Sequence, residues 1–160
     1  MESSSSYAFT PEEAVNQYGN LVFRAAFGIV KNQQDAEDIA QEVFLSLVRN
    51  NPQFSSAEHL KAWLLRCTFN RCNSHFRSAW HRHTTSLEEH CNIPFTPEET
   101  YVLDAVAKLP VKYRQVIYLH YIEGYSTAEI AQLLQRNQNT ILSQLSRART
   151  HLKTSLKGDF

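Results

Sequence analysis

Apolar residues recur three and four positions apart through most of this chain, and that spacing lapses once, between Trp80 and Pro97. A period near 3.6 suits a helix that buries one face and does not suit the alternation of a half-buried strand. The fold class read from this pattern is all-α. An N-terminal helical bundle is joined by a linker to a C-terminal four-helix domain. A lapse of about 15–20 residues exceeds an ordinary connection inside one domain and marks a boundary.

Capping chemistry sets where the helices begin. Thr10-Pro11-Glu12-Glu13 offers an N-cap threonine, a proline at the first helical position and acids at the positive end of the helix dipole. Val15, Tyr18, Leu21, Val22, Ala25, Ala26 and Ile29 then form an apolar stripe that ends near Val30–Asn32. Asp35 is the expected cap of a second helix, with Ala36, Ile39, Ala40, Val43, Phe44, Leu47 and Val48 as its stripe, stopped at Asn50-Asn51-Pro52. A third helix is expected from Ala57 to Ser78, with Ser56 as its cap. Thr96-Pro97-Glu98-Glu99 repeats the first capping signal and opens a fourth helix to about Lys108, which Pro110 breaks. A fifth runs from Val111 to Glu123, where Gly124 terminates it. The domain reading is a disordered tail at 1–8, a domain at 9–80, a linker at 81–96 and a domain at 97–157.

Ser126-Thr127-Ala128-Glu129 is a capping box, and it opens a short helix carrying Ile130, Ala131, Leu133 and Leu134. After a polar turn at Gln135–Gln138, a last helix is expected from Asn139 to Leu156, with Ile141 and Leu145 facing inward. This is the arrangement of a DNA-reading helix-turn-helix. The bland alternative is a helical hairpin with a solvated charged face.

Charge decides more by its distribution than by its total, which is zero from 16 basic and 16 acidic residues. Five basic residues and no acid lie between Glu129 and Asp159: Arg136, Arg147, Arg149, Lys153 and Lys157. Five more, Lys61, Arg66, Arg71, Arg77 and Arg82, fall between His59 and Leu87, again without an acid. One-signed segments of this kind neutralise phosphates. Trp63, Phe69, Phe76 and Trp80 interleave with the second block, which suits a strand with unstacked bases. Trp63 and Phe69 read equally as core, and for Trp63 the core reading is the stronger. Asp35, Glu37, Asp38 and Glu42 lie together between Lys31 and Arg49, as a solvated or a protein-docking face.

Here the sequence resembles a known family. Asp35-Ala36-Glu37-Asp38-Ile39-Ala40-Gln41-Glu42-Val43-Phe44 resembles the core-polymerase-binding helix of bacterial sigma factors. Trp63-Leu64-Leu65-Arg66, with Asn70 and Arg77, resembles the promoter-melting helix that follows it. Leu109–Ile117, Gly124–Ala131, Thr140-Ile141, Ser143 and Leu145–Arg149 resemble the C-terminal domain of the extracytoplasmic-function group of the sigma-70 family. The resemblance spans about Val15 to Leu156. It implies a non-enzymatic transcription initiation factor that binds core RNA polymerase and directs it to promoters. Asp35, Asp38, Gln41, Glu42 and Phe44 would bind polymerase. Lys61, Arg66, Asn70, Arg71, Arg77 and Trp80 would contact the minus-10 element and assist melting. Arg136, Asn139, Thr140, Ser143, Gln144 and Arg147 would contact the minus-35 element. An anti-sigma factor is the further partner such proteins usually have.

Leu142 and Gln144 depart from the family pattern, which usually places basic residues there. An amide matches adenine N6 and N7, so Asn139 and Gln144 are candidates for reading adenine directly. Ser74 and His75 likewise replace the Asp and Tyr common in the family.

No cofactor and no metal site are expected. Cys67 and Cys72 lie five apart, about 140° around a helix, and do not converge on one ion. His81-Arg82-His83 and His90-Cys91 lack the usual zinc spacing. Three cysteines, no signal-like N-terminus and no long apolar run suggest a cytoplasmic protein without membrane insertion. Two rivals remain at this level: a dimeric helix-turn-helix repressor, and a sigma-like interaction module that does not bind DNA.

Overall fold

The structure, a computed structural model, describes residues 6–78 and 95–157. Among these, every regular element is helical. The chain divides into two compact units, Met1–Cys91 and Asn92–Phe160. No helix of the described residues is long and apolar enough to cross a membrane.

In the first unit, α1 (Pro11–Val30), α2 (Gln33–Asn50) and α3 (Ala57–Ser78) pack on one another. Thr10 caps α1 as its sequence signal requires: its Oγ1 accepts from the Glu13 N–H at 3.1 Å, and Glu13 accepts from the Thr10 N–H at 2.7 Å. The cap of α2 is Asn32 rather than Asp35. The Asn32 side chain accepts from the Asp35 N–H at 2.9 Å, so Asp35 lies in the first turn. Asn51, with φ +43°, closes α2 in the left-handed region. Ser56 caps α3 by accepting from the His59 N–H at 3.1 Å.

Val22, Ala25, Ala26 and Ile29 of α1 meet Ala36, Val43 and Leu47 of α2 and Leu60, Leu64, Leu65 and Phe69 of α3 in a core closed to solvent. The small Ala25 and Ala26 let α1 approach its neighbours closely. Five expected stripe members fall outside this core, and of these Leu21, Ala40 and Phe44 are half-buried. Val15 and Val48 are exposed, because each sits at the edge of its stripe and away from the side where two partner helices converge. The N-terminal segment is tied down by its backbone. The Tyr7 N–H donates to the Phe54 carbonyl at 2.6 Å, and Phe9 packs on both Tyr7 and Phe54.

The second unit holds α4 (Pro97–Val106), α5 (Val111–Ile117), α6 (Thr127–Leu134) and α7 (Gln138–Lys157). The fifth helix is not uniform to Glu123. Tyr118–Ile122 widens into a π-helical segment, in which the Glu123 N–H reaches back to the Tyr118 carbonyl at 3.1 Å. Gly124, with φ +78°, then reverses the chain in a conformation that side chains rarely adopt.

Arg114 stitches the start of this unit together. Its Nε donates to the Leu109 carbonyl and its Nη2 to the Ala107 carbonyl, both at 2.8 Å, and its burial lowers the pKa of the guanidinium. These are carbonyls that the end of α4 leaves without helical donors. Arg114→Ala is therefore expected to cost the second unit about 1–3 kcal/mol, the penalty for stranding buried acceptors. Arg114→Lys recovers only part of this, because one ammonium does not reproduce a fork. Denaturant titration of the three proteins measures both differences.

Candidate functional site

Three solvent-facing surfaces carry the residues singled out by sequence. The first is α2. Asp38 and Gln41 are exposed, while Asp35, Glu42 and Phe44 are half-buried. The acids are not equivalent. Asp35 Oδ2 lies 3.2 Å from His75 Nε2, and Glu42 Oε2 lies 3.8 Å from Arg71 Nη1, so both look across to α3. Glu37 and Asp38 face outward, with the side-chain amides of Gln33 and Gln34 donating to them at 3.1 Å. Gln34, Asp38, Gln41, Leu45 and Val48 follow helical spacing along one exposed line. At its end Leu45 is 44% and Val48 55% exposed.

The apolar part of this surface escaped the sequence reading. Val43 and Leu47 belong to the core, as their stripe implies, and Leu45 and Val48 are the exposed apolar groups of α2. The three- and four-residue spacing places Val48 inward, but it faces solvent. Leu45 breaks that spacing, which was the one available signal for it.

The second surface lies on α3. Arg66, Asn70 and Arg77 recur at i, i+4 and i+11 and share a face with Asn73, at i+7. Asn70 and Arg77 are exposed, and Arg66 is half-buried. Lys61 and Arg71 do not join this line. Arg71 turns the other way, donating to Ser46 Oγ at 2.9 Å and meeting Glu42. Phe69 is core, whereas Trp63 is half-buried with its ring edge-on to Phe54 at 5.7 Å. Trp80 lies outside the described residues, as do His81, His83, His90 and Cys91 and most of the expected linker. Cys67 and Cys72 are free thiols. Burial raises the pKa of both, that of Cys72 to about 12, so neither is a ready thiolate.

The third surface is the pair α6–α7. The capping box at Ser126 forms: Ser126 Oγ accepts from the Glu129 N–H at 3.1 Å, and Glu129 accepts from the Ser126 N–H at 2.9 Å. Hydrogen bonding to Ser126, first through its backbone N–H and then through its side chain, holds the Glu129 carboxyl below its ordinary pKa. A depressed folded pKa adds stability above the unfolded value and loses it as pH falls through the folded one. Glu129→Gln keeps a capping partner and is expected to flatten the acid limb of the second unit's stability profile, as followed by circular dichroism.

Gln135, with φ +55°, makes the turn, and Gln138 Nε2 donates to Thr127 Oγ1 at 3.2 Å to pin the two helix starts together. Helix α7 begins at Gln138, and the Asn137 side chain accepts from the Asn139 N–H at 2.8 Å. Ile141, Leu145 and Ala148 are buried against the scaffold. Asn139, Thr140, Leu142, Ser143, Ser146 and Arg147 are exposed.

Arg136 and Gln144 occupy a different place from the one the sequence suggested. Gln144 is 9% exposed, and its Oε1 accepts from Arg136 Nη1 at 3.2 Å. Arg136 Nη2 donates to Oε1 of the fully buried Gln115 at 3.3 Å, and burial lowers the guanidinium pKa. Its fork therefore bridges α5 and α7. The carbonyl oxygen of Gln144, expected from the sequence to read adenine, thus faces Arg136 in this structure. The bridge spans 21 residues in one direction and eight in the other, beyond the reach of local pattern.

Residues 14–82 match the family Sigma-70 region 2, and residues 99–152 match Sigma-70, region 4. The chain is similar to the ECF RNA polymerase sigma factor SigE of Mycolicibacterium smegmatis, with 29% identity over 157 residues, 91% of this chain and 61% of that protein. It is also similar to the ECF RNA polymerase sigma factor SigW of Bacillus subtilis, with 27% identity, 91% of this chain and 88% of that one. In fold it resembles the sigma factor RpoE of Bartonella quintana, solved with the anti-sigma factor NepR. That match has TM-score 0.73 and 22% identity, and covers 93% of this chain and 98% of the other. It also resembles CnrH, solved with the cytosolic domain of CnrY, with TM-score 0.69, 22% identity and coverages of 94% and 89%.

Proposed function

The chain belongs to the extracytoplasmic-function group of the sigma-70 family, and from that premise we propose that it carries core RNA polymerase to a two-part promoter and helps to open it. In this reading the protein acts in the cytoplasm and does no covalent chemistry; polymerase supplies catalysis and its metal. The exposed line of α2 docks on core polymerase. The Arg66–Asn70–Arg77 face of α3 holds the minus-10 strand, with Lys61 and Trp80 as further candidate contacts, while Arg71 is held by Ser46 and Glu42 of α2. The outward face of α7, through Asn139, Thr140, Ser143 and Arg147, reads the minus-35 element. An anti-sigma protein is the partner that would mask these faces. In this reading the polymerase- and minus-10-binding domain spans 9–80 and the minus-35-binding domain 97–157, with 81–96 as the linker.

The observation that carries this reading is the one-signed outward face of α7 in a capped helix-turn-helix. Its exposed groups donate and accept hydrogen bonds, and no acid lies between Glu129 and Asp159. Arginine and lysine neutralise phosphates, and the groove-facing groups choose the bases. Separating strands costs a few kcal/mol per unstacked base step. Stacking on aromatic rings returns about 1–3 kcal/mol per base. Each captured base therefore offsets much of the cost of its own unstacking.

Run-off transcription with purified core polymerase tests the proposal. The chain is expected to bind core in pull-down and to start transcripts at discrete sites on a genomic fragment library, which core alone does not. Pull-down without initiation would favour the interaction-module reading. DNA binding as a dimer, without polymerase, would favour a repressor.

A further inference from the structure

We propose that Leu142 reads a thymine in the minus-35 element by seating its side chain against the thymine C5-methyl group in the major groove. This rests on the reading of α7 as the DNA-facing helix and extends it to one residue and one base. Leu142 is the fifth residue of α7, and it shares an arc of about 140° with Asn139, Ser143, Ser146 and Arg147, at 3.6 residues per turn. It is 47% exposed and is the one large exposed apolar side chain on α7 among those described. A lone exposed leucine needs no explanation on an ordinary surface. This one stands among hydrogen-bonding groups at the start of the second helix of a helix-turn-helix, the part that meets base edges.

The chemistry of the groove narrows its occupant. Of the bases, thymine alone presents a methyl group there; the others present donors and acceptors. A leucine pressed on those edges removes water without returning a hydrogen bond, which is unfavourable. Leu142 thus favours thymine and disfavours its alternatives at the same position. The inward turn of Gln144 strengthens the assignment. With that amide facing Arg136 and Arg136 engaged by Gln115, neither residue competes for the same base. Hydrogen-bonded readout falls to Asn139 and Ser143, and apolar readout to Leu142.

Uracil differs from thymine only by the missing methyl, so it isolates this contact. Holoenzyme assembled from the full chain first selects its minus-35 element from a randomised library. Each thymine of that element is then replaced singly by uracil, and binding is measured with the wild type and Leu142→Ala. One position is expected to lose about fourfold in wild-type affinity, the worth of one buried methyl. Leu142→Ala should bind thymine and uracil there equally, with an unchanged salt dependence. Three results overturn the proposal: an element without thymine, a wild type indifferent to uracil throughout, or a uracil effect that survives in Leu142→Ala. The last would assign the methyl to a neighbour such as Thr140. A wild-type holoenzyme that selects no minus-35 sequence at all would instead bring down the DNA-facing reading of α7.

Discussion

A chain carrying Asp38→Lys together with Val48→Asp is expected to bind core polymerase about 10- to 100-fold more weakly than wild type, with its helical circular dichroism unchanged. Both residues are exposed on the outer line of α2 and neither contributes to the core, so folding is spared. The first change reverses a charge that would meet a complementary surface, and the second puts a carboxylate into the apolar end of the contact. A tenfold loss corresponds to about 1.4 kcal/mol, well within the cost of placing like charges together at an interface. Glu42 is the wrong residue for this experiment despite its place in the acidic block. It faces Arg71, and reversing it would set two cations against each other at the half-exposed seam of α2 and α3. Lost docking and a disturbed seam would then not be told apart. Equal binding by mutant and wild type would remove α2 as the docking helix.

Phe69→Ala is expected to destabilise the first unit by about 3–5 kcal/mol, the usual cost of deleting a fully enclosed aromatic ring. Phe69 is closed to solvent on α3 among Val22, Leu60, Leu64 and Leu65. Whole domains are stable by only about 5–15 kcal/mol, so this one change consumes a large part of the margin. Trp63 lies on α3 of the first unit, against Phe54. With Trp80 replaced by Phe in both proteins, fluorescence in a denaturant titration reports Trp63 in that unit. A lower midpoint in fluorescence, beside an unmoved second transition in helical signal, is the outcome that fits. A loss under 1 kcal/mol would mean that Phe69 is not enclosed as described.

The parts of this fold that local chemistry specifies were readable from the chain. Thr10, Thr96 and Ser126 announce helix starts, and all three close as capping boxes because cap and partner lie three residues apart. The cap of α2 was misread for an equally local reason. Asn32 and Asp35 are both good caps three residues apart, and propensity does not rank them. The all-helical architecture and the inward placing of Ile141 and Leu145 follow from spacing. The widened turn at Tyr118–Ile122 does not, since it depends on how the chain must meet Gly124 and α6. The candidate surfaces divide the same way. Asn70 and Arg77, or Asn139 and Ser143, fall on outward faces that a helical wheel shows. The engagement of Arg71 by Glu42, and of Arg136 by Gln115 and Gln144, belongs to tertiary packing.

The bridge through Arg136 also bears on how this protein can change over generations. Its fork ties residues 115, 136 and 144 into one inherited unit. Losing either glutamine leaves a half-buried guanidinium short of an acceptor, and losing the arginine removes a donor from both glutamine oxygens. Stepwise drift at these three positions is therefore penalised, and they should change together or not at all. Positions 139, 142, 143, 146 and 147 carry no such bond between them. Descendants that acquire new target sequences are expected to differ there first, on a helix whose seat in the protein stays constant.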